Sequence, residues 1–242
     1  MRFLLCLSSL VLSLLLFIGA TCSPVSPPAF TPSRTLTSKS EKDISVNMFG
    51  GLTSQVFDLG GYGGGFEAEY RLREDTDVVF GVAGAKGEDD LQNNHSVFEV
   101  GTGVVKYVYQ INDTSYLLAF EPRIDFAYIT NGSVSFIPNL TIHSSYKYKF
   151  FEPKLTVRAG SSLLLLRGDN VNIDKDIIES EVYKKDFLKD IVYVGADTSL
   201  LLHAGKIYAG PGLGVMHTIS LRNCDNCSDL WFYYLLNAGF RF

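Results

Sequence analysis

The chain has 242 residues and a formal net charge of −5, with both signs interspersed. No basic field exists to hold nucleic acid. Hydrophobic residues make up 46%, with 22 glycines and 13 tyrosines. After the first residues, however, no apolar run approaches the ~20 residues of a membrane-spanning helix, so a helical membrane protein is excluded and the apolar residues must be spread by periodicity.

The N-terminus sets the compartment. Arg2 precedes an apolar run from Phe3 to Ile18, then the small residues Gly19, Ala20 and Thr21. This is the pattern of a secretory signal peptide, assigned to residues 1–22, with cleavage after Ala20 or Cys22. Cys6 leaves with it. Cys22 raises the alternative of a lipid-modified first residue, but Gly19-Ala20-Thr21 departs from the lipobox pattern. Residues 23–42 contain four prolines among serines and threonines, and read as an extended tail with too little apolar content to pack.

From residue 43 to 242 period-2 alternation dominates. In "GFEAEYRL", Phe66, Ala68, Tyr70 and Leu72 share one face, and Glu67, Glu69 and Arg71 the other. The stretch "FEPRIDFAYI" sets Phe120, Pro122, Ile124, Phe126 and Tyr128 against Glu121, Arg123, Asp125 and Ala127. A second copy of its opening, "FEPKLTVRAG", sets Phe151, Pro153, Leu155 and Val157 against Glu152, Lys154, Thr156 and Arg158. Such alternation argues for strands, of a length that suits tilted strands crossing a bilayer. The expected strands are 43–51, 61–72, 77–86, 96–109, 116–130, 145–157, 161–168, 190–203, 206–220 and 231–242.

The polar segments between them alternate in length. Arg73–Asp77, Ile111–Ser115 and His203–Lys206 are short; Lys86–Ser96, Thr130–Ser145, Arg167–Asp190 and Ser220–Leu230 are long. A turn at Arg158–Ser161 keeps the strand number even, as an up-and-down barrel with both termini at one end needs. Ten strands are expected, with eight as the alternative.

The chain closes on "FYYLLNAGFRF", with Phe240 and Phe242 on one face of the last strand. A final strand ending in Phe, with an aromatic two residues before it, resembles the C-terminal signature of bacterial outer-membrane β-barrels. The segments "YGGGFEAEYRL" and "FEP[RK]" are also similar to small barrels of the OmpA/OmpW kind. The resemblance covers residues 43–242 at the level of pattern. It implies an all-β, antiparallel up-and-down transmembrane barrel in the outer membrane of a diderm bacterium, a periplasmic tail, long surface loops, and Phe240 and Phe242 read by the barrel-assembly machinery. Its partners would be outer-membrane lipid and an external ligand at the loops. A secreted soluble β-sandwich would alternate too, but accounts for neither the loop asymmetry nor the aromatic terminus.

In a barrel the charged face turns inward. The expected lumen set is Glu67, Glu69, Arg71, Glu121, Arg123, Asp125, Glu152, Lys154, Arg158, Asp197 and Arg241. The FEP repeat would then fall on neighbouring antiparallel strands, with Glu121 opposite Lys154, Arg123 opposite Glu152, and Pro122 against Pro153. Opposite charges directly across a pair stabilise it by roughly 0.2–1 kcal/mol each.

The remaining motifs are sparse. Cys224 and Cys227 form a single C-x-x-C, read as a disulfide tightening a loop; one such pair is weak support for zinc. Among His95, His143, His203 and His217, His143 with Ser145 makes an H-x-S at a loop-to-strand border, and Asp89-Asp90 is acidic, but no orienting carboxylate or oxyanion site can be read beside them. Asn94, Asn112, Asn131, Asn139 and Asn226 begin N-x-S/T triplets, read as polar loops and turns. The run Asp169–Asp190 is densely charged, and Glu181–Lys185 has helix-supporting spacing. No catalytic residue, cofactor or metal is assigned. Three functions stay open: a barrel plugged by its own charges whose loops bind external partners, a narrow channel for ions or small solutes, and an outer-leaflet lipid hydrolase.

Overall fold

The alternation becomes a closed sheet. In the computed structural model of the chain, which describes residues 44–55, 61–88, 94–111, 116–129, 134–166, 191–220 and 228–242, ten strands form: β1 (Ile44–Gln55), β2 (Gly61–Arg73), β3 (Thr76–Glu88), β4 (Asn94–Ile111), β5 (Tyr116–Ile129), β6 (Val134–Tyr146), β7 (Phe151–Leu166), β8 (Ile191–Ala204), β9 (Ile207–Ser220) and β10 (Ser228–Arg241). Each pairs antiparallel with its neighbours in sequence, and β1 pairs with β10 to close the barrel. The strands are 12 to 18 residues long, enough to cross a bilayer at a tilt. Both ends of the barrel sequence, Ile44 and Phe242, lie at one rim, where the amide of Phe242 donates to the carbonyl of Ile44. The β2–β3, β4–β5, β6–β7 and β8–β9 connections share that rim, called here the turn end. The other connections define the loop end.

The outer face is apolar. On β5, Pro122, Ile124, Phe126 and Tyr128 are exposed while Glu121, Arg123, Asp125 and Ala127 are buried. Exposed aromatic rings stand toward both rims, with Tyr62, Phe98 and Tyr128 near the loop end and Tyr70, Tyr146 and Phe240 near the turn end. Apolar faces all round and polar residues inside reverse the soluble pattern, and fit a barrel surrounded by lipid.

Ten strands stand where ten were expected, but two of them differ. The segment 134–146, read as loop, is β6; its inward set (Ser135, Ile137, Asn139, Thr141, His143 and Ser145) is mostly small and polar, and resembles loop composition until its alternation with Phe136, Leu140 and Ile142 is seen. The turn expected at Arg158–Ser161 does not exist, and β7 runs through it. The FEP repeats therefore lie on β5 and β7, either side of β6. Glu121 stands opposite Thr141 rather than Lys154, and Arg123 opposite Asn139 rather than Glu152. Loop asymmetry survives mainly through residues 167–190, since 130–133 alone separate β5 from β6.

The prolines find gaps. Pairing between β4 and β5 lapses where Pro122 would meet Val104, between β6 and β7 at Pro138, and between β8 and β9 at Pro211. Pro153 pairs with Leu200 on β8, while its other edge lies past the last β6–β7 pair, Ser145 with Lys154. Each missing N–H thus falls where the ladder is already interrupted.

Candidate functional site: the barrel interior

Small residues make room for large ones inside the barrel. Bulky inward side chains repeatedly face a glycine directly across a strand pair: Asp125 faces Gly101, Arg158 faces Gly195, Tyr193 faces Gly160, Tyr233 faces Gly214 and Tyr208 faces Gly239. A Cβ on Gly101 would overlap the Asp125 carboxylate, and one on Gly214 or Gly239 would overlap a tyrosine ring. Gly160, which looks like a turn residue in sequence, leaves space for the Tyr193 hydroxyl.

Three ion-paired groups occupy the space so made. Toward the turn end, Arg71 pairs with Asp77 through Nε and donates from Nη2 to the other oxygen at 3.2 Å; Tyr107 donates to Asp77 at 2.6 Å, and Ser45 to Glu69 at 3.2 Å. At mid-height, Arg123 on β5 reaches past β4 and β3 to Glu67 on β2, donates from Nε to Asp125 at 2.7 Å, and lies 3.6 Å from Glu121. Asn139 donates to Asp125 at 2.8 Å, and His143 meets Glu121 at 2.7 Å. On the other side Arg158 pairs with Asp197, which also accepts from Tyr233 at 3.3 Å. Near the turn end His203 meets Glu152 at 2.6 Å.

Above these charges, toward the loop end, Ala127, Ile137, Tyr193, Met216, Tyr233 and Leu235 form an apolar layer, joined by Val97 and Trp231. A second apolar patch, Val79, Val105, Leu117 and Ala119, lies toward the turn end. The gap bounded by Phe49, Glu67, Glu99 and Arg123 is too small to admit a water molecule. At that level of the barrel the described side chains occupy the space between Phe49 and Arg123.

Ten of the eleven lumen residues named from sequence are buried: Glu67, Glu69, Arg71, Glu121, Arg123, Asp125, Glu152, Lys154, Arg158 and Asp197. Arg241 is half-buried at the turn-end mouth. Sequence reading missed Asp77, Glu99, Asn47, Asn139, His143, Tyr107, Tyr193, Tyr208 and Tyr233. Asp77 sits at a strand start, where it reads as turn, and Tyr107, Tyr193, Tyr208 and Tyr233 carry no charge that would mark them as inward. Asn139 is a buried lumen residue rather than a loop asparagine. His143 and Ser145 are not at a loop border: both lie inside β6 toward the turn end, buried, with His143 fully enclosed and held by Glu121. Cys224, Cys227, Asp89, Asp90, Asn112, Asn131, Asn226 and the run 169–190 fall outside the described residues. Among the described residues, no group of three or more His, Cys, Asp or Glu is disposed to hold a metal.

No protein-family model matches the chain, and no curated protein matches it. Among solved structures it is similar to the β domain of the Bordetella autotransporter BrkA (10% identity, TM-score 0.46, covering 84% of this chain and 99% of that one). It is also similar to Neisserial surface protein A (9%, 0.34, 82% and 94%). A third likeness is to a bacterial polysaccharide outer membrane secretin (13%, 0.39), in which it covers 75% of this chain and spans 57% of that one. At these values the resemblances carry no functional inference.

Proposed function

We propose that this barrel is an integral protein of a bacterial outer membrane that does not conduct, and whose loop end does its work by binding external partners. The observation that supports this most is the reach of Arg123 across the lumen to Glu67, with Asp125 and Glu121 closing round the same guanidinium. A cation committed to three carboxylates is not free to pass ions. The apolar layer above it withholds water from the loop-end side. With the lumen occupied and the lipid-facing surface apolar, recognition falls to the segments on the rigid scaffold's rim, above all residues 167–190. Phe240 and Phe242 serve export as the signal for barrel assembly. The test is electrical: the chain inserted in a planar bilayer should stay silent across a range of salts, and discrete ion-selective steps would make it a channel instead.

A further inference from the structure

The turn-end rim is electrically one-sided. Among the described residues at the rim of β2 to β5, two bases face two acids: Asp75 pairs with Lys106, and Glu74 lies beside Arg73. On the arc from β6 to β10 there is no such balance. Backbone bonds tie this arc together, from the His203 amide to the Phe150 carbonyl at 2.8 Å and from the Arg241 amide to the Lys206 carbonyl at 2.9 Å. It carries Lys147, Lys149, Lys206 and Arg241, and none of the four makes an ion pair with a described residue. Glu152, the carboxylate that acts on Lys147, is buried and meets His203. Partial burial, and then the charge of Arg241, hold the Lys147 ammonium below the usual lysine range, outweighing the opposing pull of the Glu152 carboxylate.

The β6–β7 turn also has an apolar component. Tyr146, Tyr148 and Phe150 alternate with the lysines and are 46%, 54% and 50% exposed. The turn is held in shape by reciprocal bonds between Tyr148 and Phe151 (2.8 and 2.9 Å) and by Lys149 at φ 55°, its ammonium 5.4 Å from the Tyr148 ring centre. A fixed turn that alternates rings with cations suits the boundary between acyl chains and charged headgroups. A soluble anion would need the cations alone.

We propose that Lys147, Lys149 and Lys206 form a binding site for the phosphate of an anionic phospholipid headgroup in the leaflet that meets the turn end, with the rings of the β6–β7 turn seated beside its acyl chains. This rests on the barrel being membrane-integral.

Native mass spectrometry of the full chain folded in detergent tests it, with phosphatidylglycerol, phosphatidylcholine and inorganic phosphate as probes. Phosphatidylglycerol should bind in preference to phosphatidylcholine and lose roughly fivefold in affinity for each lysine changed in Lys147→Gln/Lys149→Gln/Lys206→Gln. The matching Lys→Arg triple and Lys106→Gln on the opposite arc should keep the preference. Should the Gln triple fail to fold, Lys149→Gln alone, at the exposed turn tip, is measured in its place. Equal binding of the two lipids, or an equal loss in Lys106→Gln, overturns the site. Displacement by equimolar inorganic phosphate overturns the lipid assignment in favour of a free-anion site. A native chain lacking the heat-sensitive gel shift of a folded barrel contradicts the membrane reading itself, and this site with it.

Discussion

Glu152 meets His203 in the same way that Glu121 meets His143. Each glutamate follows the Phe of an FEP motif, and each histidine lies on the next strand, two residues beyond the one directly opposite (Leu201 and Thr141). The distances are 2.6 and 2.7 Å. The repeat thus serves to present a carboxylate inward and a proline outward on two strands, and a histidine on the next strand answers the carboxylate each time. In the buried pair His143 donates from Nε2 to Glu121. His143→Leu should lower stability by about 1.5–3 kcal/mol, the range for a hydrogen bond to a charged group. His143→Gln, which keeps an N–H donor, should lose less. Urea unfolding in lipid vesicles measures both; equal losses would mean that the donor does not matter.

Arg158 and Asp197 form the ion pair most separate from the central cluster, each almost wholly buried. Removing one partner strands the other, so Arg158→Met should cost about 3–5 kcal/mol. Arg158→Met/Asp197→Leu should recover most of that loss, because desolvation of both charges disappears together. A double mutant as unstable as the single would show that the pair stabilises the barrel by more than avoiding a lone charge.

The inward glycines make a steric prediction. Gly101→Val pushes into the Asp125 carboxylate and should cost about 1–3 kcal/mol, as overpacking of a filled interior does. Gly84 faces outward, with only the Val97 carbonyl within 4 Å of a Cβ, at 3.7 Å. Gly84→Ala should therefore leave the unfolding midpoint unchanged or slightly raised. The two variants compared in one unfolding series separate loss of lumen space from loss of glycine as such.

Lys147 gives a pH signature. Its folded-state value lies below the ordinary 10.5, through partial burial first and Arg241 second. Between the two values the unfolded chain binds more protons, so stability rises with pH in that window, and the penalty is fully present below it. The native chain should therefore gain on Lys147→Gln as pH climbs toward 10.5. Parallel unfolding curves for the two at every pH would remove the burial argument.

Local alternation was enough to read β5, because Glu121, Arg123 and Asp125 contrast sharply with Ile124, Phe126 and Tyr128. It was not enough for β6, whose inward residues are uncharged and small, nor for β7, where Gly160 resembles a turn although it gives way to Tyr193. Those two errors cancel in the strand count, which is why ten was reached by a wrong path. Inward placement of the charges could be read; their partners could not. The bond from Arg123 to Glu67 joins residues 56 apart on strands that are not neighbours. It exists only because the sheet closes, and no pairwise register contains it.

The central claim is that the lumen is filled by its own ion pairs, and single-channel recording tests it most directly. The native chain in a planar bilayer should insert and stay silent. Arg123→Ala, which removes the side chain spanning the interior, is the variant in which a leak should first appear. Discrete, ion-selective steps from the native chain that shift when Arg123 is neutralised would contradict the account, because the cluster would then line a path instead of blocking one.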